Sequence, residues 1–271
     1  MKPSLLIAGA GYLGSEIADL AHDYHVTTAT KSGGDGHEAC DLSSPEQVSN
    51  LASKIPNPAV IVHCASSGRG GAEAYRKVFI TGAGNLLKSF PESHLILTSS
   101  TSVYHQTDGS DVDESSPTDP IRETSQLLLE AEQIVLDSGG TVARLAGLYG
   151  PGRSVVLRKF LDGSAVIEDT GQRILNQIHV KDAALATLHL AGQKLNGVFN
   201  VSDDHPISQL ECYQGLADYF DKPLPPRGEK NTSRKRAWTH KRVLNLKIRE
   251  TGWKPTFPAY FDALDSLTSA S

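Results

Sequence analysis

The chain has 271 residues, 39% hydrophobic and 21% charged, with a formal net charge of -5 and a pI near 6.0. That length buries one large core, or one large and one small, and the acidic balance argues against general nucleic-acid binding. Cys40, Cys64 and Cys212 lie far apart, in neither a C-x-x-C pair nor a zinc spacing, so a reducing, cytoplasmic setting without a metal site is expected.

Residues 5–8 form an uncharged apolar run that fits a strand buried on both faces. The run is too short to span a membrane and has no cleavage site after it, so no membrane segment or signal peptide is read. Gly9, Gly11 and Gly14 then make G-x-G-x-x-G, and Ile17, Ala18, Leu20 and Ala21 recur at helical spacing. Strand, glycine turn and helix in this order suit a dinucleotide. Gly9 permits the turn, Gly11 lets the backbone approach a pyrophosphate, and Gly14 lets helix and strand pack closely. Tyr12 and Leu13, inside the motif, join the glycines as expected cofactor contacts.

The second strand, 26–30, ends in Lys31 and Ser32. An NAD site places an acid there; a cation and a hydroxyl suit the 2′-phosphate of NADP, which is therefore favoured over NAD. A solvated loop lysine is the alternative reading, and Asp35 keeps NAD open. Residues 37–41 read as a short third strand ending in Asp41, beside Leu42. That acid either meets the adenine amino group or caps the helix that starts at Glu46. A fourth strand (59–65), a glycine-rich loop (66–71), a long helix (72–90) and a fifth strand (95–98) follow. The order predicts an α/β fold, a doubly wound parallel sheet with ligands at the carboxyl ends of its strands.

The run 98–104, TSSTSVY, with Glu114 and Pro117 after it, resembles the short-chain dehydrogenase/reductase superfamily, in its extended and atypical branches, the NAD-dependent epimerase/dehydratase family. Residues 62–65 (VHCA), 143–153 (ARLAGLYGPGR), 176–184 (NQIHVKDAA), 197–203 (GVFNVSD) and 241–253 agree with it in order. The resemblance implies a Rossmann domain over 1–150 and a small α+β substrate lobe over 151–271, with 176–180 and the helix after it packing near the first domain. It implies cofactor contacts at Cys64, Ala65, Ser66, Ser99 and Ala146. Ala8 stands where the extended branch has its first glycine, which leans towards an atypical member.

Active members of the superfamily use a Ser, a Tyr and a Lys. The phenol needs a nearby cation because its ordinary pKa is near 10. Ser100 matches the Ser, although it could instead satisfy backbone groups at the strand end. Aligning the 120–137 helix by Glu132-Gln133-Ile134 puts Thr124 or Ser125 at the Tyr position and Leu128 or Leu129 at the Lys position. His105 is the best substitute acid/base, followed by Tyr104, Tyr149 and Glu123. The resemblance points to Tyr149, Arg153, Asn176, His179 and the loop near Asn200 for a small polar carbonyl or sugar-like substrate. Arg153 could equally form a surface salt bridge, and His179 a buried structural hydrogen bond. The basic stretch 227–249 either meets a diphosphate or is a solvated segment. A catalytically silent NADP-binding sensor is the competing reading. The broad apolar face of the 120–137 helix fits either a homodimer or burial within one chain.

Overall fold

A computed structural model gives the fold and describes residues 1–68, 70–230 and 238–268. Arg234, Lys235 and Arg236 of the basic stretch lie outside the described residues. In chain order, β1 (Ser4–Ala8), α1 (Tyr12–Leu20), β2 (His25–Thr30), β3 (Glu38–Ala39), α2 (Pro45–Lys54) and β4 (Val60–His63) form the first half of the α/β unit. Helices α3 (Ala72–Tyr75) and α4 (Gly82–Ser89) are joined by a π-helical turn, Arg76–Thr81. Then come β5 (His94–Ser100), the two-residue β6 (Asp111–Val112), α5 (Glu123–Asp137), β7 (Thr141–Leu145) and β8 (Gly147–Tyr149).

The second lobe starts with α6 (Val155–Leu161), β9 (Ile167–Glu168) and β10 (Ile174–Leu175). The chain returns to the first unit through β11 (Gln177–His179), α7 (Val180–Gln193) and β12 (Gly197–Val201). It ends with β13 (Ile207–Ser208), α8 (Gln209–Phe220), β14 (Arg227–Gly228), β15 (Arg242–Val243), α9 (Leu246–Glu250) and α10 (Leu264–Thr268).

The seven-stranded sheet runs β12-β7-β5-β4-β1-β2-β3, and every neighbouring pair is parallel. Strand order reverses beside β1, so the ligand crevice opens where β1 and β4 end. Both faces are buried. Leu5, Ile7, Val60, Val62 and Ile96 pack with Ile17 of α1 and Leu190 of α7. Leu6, Ile61, Leu95 and Leu97 pack on the other face with Leu51, Leu86, Leu128 and Val135. This explains the uninterrupted apolar runs of β1 and β4.

Three sequence expectations are corrected. Residues 197–201 do not belong to the second lobe: they are the seventh strand, paired with β7. The helix expected from 120 begins at Glu123, because Pro120 precedes it and Arg122 holds an extended backbone. The single helix expected over 72–90 contains the π turn. Leu127, Leu128 and Val135 of α5 are buried within the chain, Leu129 and Ile134 are half-buried, and Ile121 before the helix is exposed. Ser208 caps α8 as expected, in a capping box with Glu211. Among the described residues no helix is long and apolar enough to cross a membrane.

A polar network ties α5 to the sheet. Arg144 of β7 and Glu132 of α5 are both buried, and Arg144 Nη2 donates to Glu132 Oε2 at 2.7 Å. The Ser99 hydroxyl donates to Glu132 Oε1, and Arg144 Nη1 donates to the Tyr104 hydroxyl at 2.9 Å. Tyr104 in turn donates to Asn200 Oδ1 at 2.9 Å. At the outer edge of the sheet, Asn200 N donates to Glu114 Oε1 at 2.6 Å, and Lys247 Nζ donates to the Val198 carbonyl at 2.7 Å. Removing one member of a buried ion pair strands the other. Arg144→Met should cost about 3–5 kcal/mol in urea unfolding, and Glu132→Leu/Arg144→Met together should cost less than Arg144→Met alone.

His63, fully buried at the end of β4, stacks on Phe79 and donates from Nε2 to the Val78 carbonyl in the π turn, at 2.9 Å. Burial pulls its pKa from 6.5 down to about 4. Between those values the unfolded chain binds a proton that the folded chain does not, so stability falls as pH drops through this window. His63→Gln should flatten that part of a stability-against-pH curve measured by urea unfolding.

Candidate functional site

The turn after β1 is held by contacts that only glycine allows. Gly9 has φ +116°, and a Cβ there would sit 2.4 Å from the Ala65 backbone; a Cβ on Gly14 would sit 2.0 Å from the Gly9 carbonyl oxygen. Cys64 fills the remaining space. Its Sγ donates to that oxygen at 3.1 Å, and burial pushes its thiol up to about 12, so it packs as a neutral group. Gly11 differs: a Cβ there would meet nothing within 4 Å. Gly11 is also the N-cap of α1 and offers no side chain to the helix N–H groups. Open space in front of free N–H donors fits a dinucleotide diphosphate, carried by Gly9, Gly11, Tyr12, Leu13 and Gly14. Leu13 and Leu42 are buried, so their side chains support this rim from the core. Ala146 is buried as well, and its N–H donates to the Val201 carbonyl at 2.9 Å. Ser66 accepts from Gly68 N at 3.1 Å, shaping the loop after β4.

At the end of β2, Lys31 Nζ reaches Asp41 Oδ2 at 2.8 Å, and Ser32 is exposed. The Lys31 hydrogen bond, followed by that of Ser43, holds the Asp41 carboxyl at about 2. Asp41 does not cap α2, as one sequence reading had it. Ser44 does, accepting from Gln47 N at 3.3 Å, while Asp41 Oδ1 accepts from Ser43 N and Oγ in the turn before.

Ser100 stands at the carboxyl end of β5 and accepts from Ser102 N at 3.2 Å, capping a short 3-10 turn (Thr101–Val103). Its own proton remains available for donation. Half-buried His105 follows that turn by two residues. Thr124 and Ser125 lie in the first turn of α5, and Ser102 Oγ is 3.5 Å from Ser125 Oγ. Leu128 is buried and Leu129 half-buried on the next turn.

Several expected contacts are placed elsewhere. The Ser99 side chain faces Glu132 in the buried network, not the crevice. Tyr104 is fully buried with its hydroxyl between Arg144 and Asn200, so it is no acid/base, and Asn200 is buried with it. Tyr149 is buried among His179 and Tyr260, at ring separations of 5.3 and 4.9 Å, and burial raises its phenol further, so it is core rather than substrate contact. His179 is also buried; its Nδ1 accepts from Lys181 N at 3.2 Å as the N-cap of α7. Asn176 bridges to the last strand, donating to the Lys241 carbonyl at 2.9 Å and accepting from Val243 N at 2.7 Å. Each is a structural hydrogen bond or a packing contact.

Lys241 is the group that sequence reasoning missed. It is 4% exposed, and its Nζ donates to the Tyr104 carbonyl at 2.9 Å and to Thr239 Oγ1 at 3.1 Å. Burial brings its ammonium down to about 8. It thus pins the peptide that leads into His105. Lys241 immediately precedes β15, and the signal was its two-residue spacing from Val243, since alternate residues of an extended chain share a face. Among the described residues no His, Cys, Asp or Glu group of three or more is arranged to hold a metal.

A family model described as the NAD dependent epimerase/dehydratase family matches residues 5–202. A curated relative, the 3-diazoavenalumate denitrifying reductase of a Streptomyces species, is 28% identical over 158 residues. That match covers 52% of this chain and 52% of the relative, so the chain spans about half of that protein's length. A solved structure from Methylobacillus flagellatus, described as an NAD-dependent epimerase/dehydratase, is 24% identical, with a TM-score of 0.82 over 100% of this chain and 99% of that one. The dTDP-4-dehydrorhamnose reductase of Bacillus anthracis, in complex with NADP, is 19% identical, with a TM-score of 0.80 over 100% of both chains.

Gly11 and Gly14 make opposite predictions. Gly11→Ala should leave the thermal midpoint unchanged in calorimetry while weakening NADPH binding about tenfold or more, about 1.4 kcal/mol. Gly14→Ala should lower the midpoint itself, because backbone must move to admit the methyl group.

Proposed function

Because the chain belongs to the NAD dependent epimerase/dehydratase family, we propose that it is an NADP-dependent reductase of a small polar carbonyl or related electrophile. The observation that carries this reading is the open cradle at Gly11 in front of the uncapped start of α1. The reductase activity of the curated relative supports the direction of the reaction. Lys31 and Ser32 would take the 2′-phosphate. Lys31 is 81% exposed, so its ammonium keeps donors for a second anion while Asp41 holds it in place. Leu13, Cys64 and Ala65 would form the floor under the diphosphate.

When bound, the dinucleotide supplies hydride. The chain's own residues orient and protonate. Ser100 keeps a free donor for a substrate oxygen, and His105, two residues after the 3-10 turn, would deliver the proton. Lys241 fixes that turn through the Tyr104 carbonyl. A helix α5 that carries Leu128 where the family carries lysine leaves the His105 route as the acid/base path. The same leucine favours a second reading, a sensor that binds NADP without turnover.

Titration of the protein with NADPH and NADH, followed by fluorescence, tests the cofactor. NADPH should bind at least about tenfold tighter, and Lys31→Ala should remove most of that difference. Tighter NADH binding would overturn the assignment. NADPH oxidation with a panel of carbonyl compounds separates enzyme from sensor: activity lost in both Ser100→Ala and His105→Ala supports the reductase, and binding without oxidation of NADPH supports the sensor.

A further inference from the structure

We infer that Arg153 serves the cofactor rather than the substrate: the loop that opens the second lobe closes on the cradle of α1, and its guanidinium pairs with the diphosphate. The inference rests on the dinucleotide reading above and extends it to a residue outside the glycine motif.

The loop is small and rigidly joined. Gly150 N donates to the Arg153 carbonyl at 3.2 Å, and Arg153 N donates back to the Gly150 carbonyl at 3.0 Å. It is fastened to α1 rather than to the Ser100 turn. Tyr12, the first residue of α1, donates from its hydroxyl to the Pro151 carbonyl at 3.2 Å. Gly150 lies so close that a Cβ there would sit 2.5 Å from that hydroxyl and 2.7 Å from Val180. The Arg153 guanidinium rests over the Tyr12 ring, 5.0 Å from its centroid. Arg153 is therefore held one residue from Gly11, the position with open space before it.

Charge gives the arrangement its purpose. A diphosphate brings two negative charges, and a helix N-terminus offers roughly half a positive charge. No lysine or arginine occurs from Ser4 to Thr30, and the nearest charged residue after the motif is the acidic Glu16. Lys31 belongs to the ribose end. Arg153 supplies the missing cation from across the crevice. It is exposed, and no carboxylate among the described residues is paired with it. A planar guanidinium presents two parallel N–H donors to phosphate oxygens, and stacking on Tyr12 fixes its plane.

The test compares three probes on wild type, Arg153→Met and Arg153→Lys by calorimetry. NADPH and 2′-phospho-ADP-ribose carry the diphosphate; 2′-AMP carries the adenosine and 2′-phosphate without it. Arg153→Met should weaken the first two about tenfold or more and leave 2′-AMP within about twofold. Arg153→Lys should recover part of the loss, and the loss should shrink as salt rises. Unchanged binding of 2′-phospho-ADP-ribose by Arg153→Met would overturn the inference, as would an equal loss for 2′-AMP. Wild type that binds none of the three probes would overturn the dinucleotide reading itself, a result distinct from a wild type that binds and a variant that binds equally well.

Discussion

The contact on which the molecule depends is the approach of the Gly9 turn to the end of β4. There is no room for a side chain between Gly9 and Ala65, or between Gly14 and the Gly9 carbonyl. That intimacy sets the angle at which α1 leaves the sheet, and so aims its unsatisfied N–H groups across the crevice. The Cys64 thiol completes the joint as a small neutral filler. Every other part of the candidate site is measured from this point: the Lys31–Asp41 ion pair after β2, the hydroxyl of Ser100, and the loop at Arg153.

A second theme is how the helix beside the site keeps its place. The sequence alignment sets Leu128 or Leu129 where the resemblance expects a lysine, and Leu128 is packed into the core. The helix is instead fixed by Glu132, Arg144, Ser99 and Tyr104, whose hydrogen bonds run from α5 through two strands to Asn200. A polar network that is fully partnered is stiff. It holds α5 and the Ser100 turn in register without a charged residue entering the crevice. Across from it, Lys241 of the second lobe binds the same turn from the other side.

Much of the fold was legible because it depends on local chemistry. Buried runs such as 5–8 and 59–65 mark parallel strands, and glycine spacing marks the turn between β1 and α1. The last strand of the sheet was misplaced because β12 arrives after the second lobe has begun, and nothing in 197–201 states which sheet it joins. The site was legible where backbone geometry defines it, at Gly9, Gly11 and Gly14. It was less so where side chains compete for partners. Tyr149, Asn176 and His179 carry chemistry suited to a substrate, yet Asn176 is taken up by hydrogen bonds to the Lys241 carbonyl and Val243 N, and Tyr149 and His179 pack edge to face in the interior, with His179 also capping α7. Lys241 was hidden for the converse reason. A lysine in a basic run reads as solvated unless strand parity shows that it points inward.

The outer edge of β12 has a consequence of its own. An unpaired border strand is an invitation for another polypeptide to add itself to the sheet. Here the Glu114 carboxylate occupies the Asn200 amide, and the Lys247 ammonium occupies the Val198 carbonyl. The border therefore meets any would-be neighbour with one donor and one acceptor of its ladder already taken, by an anion and a cation.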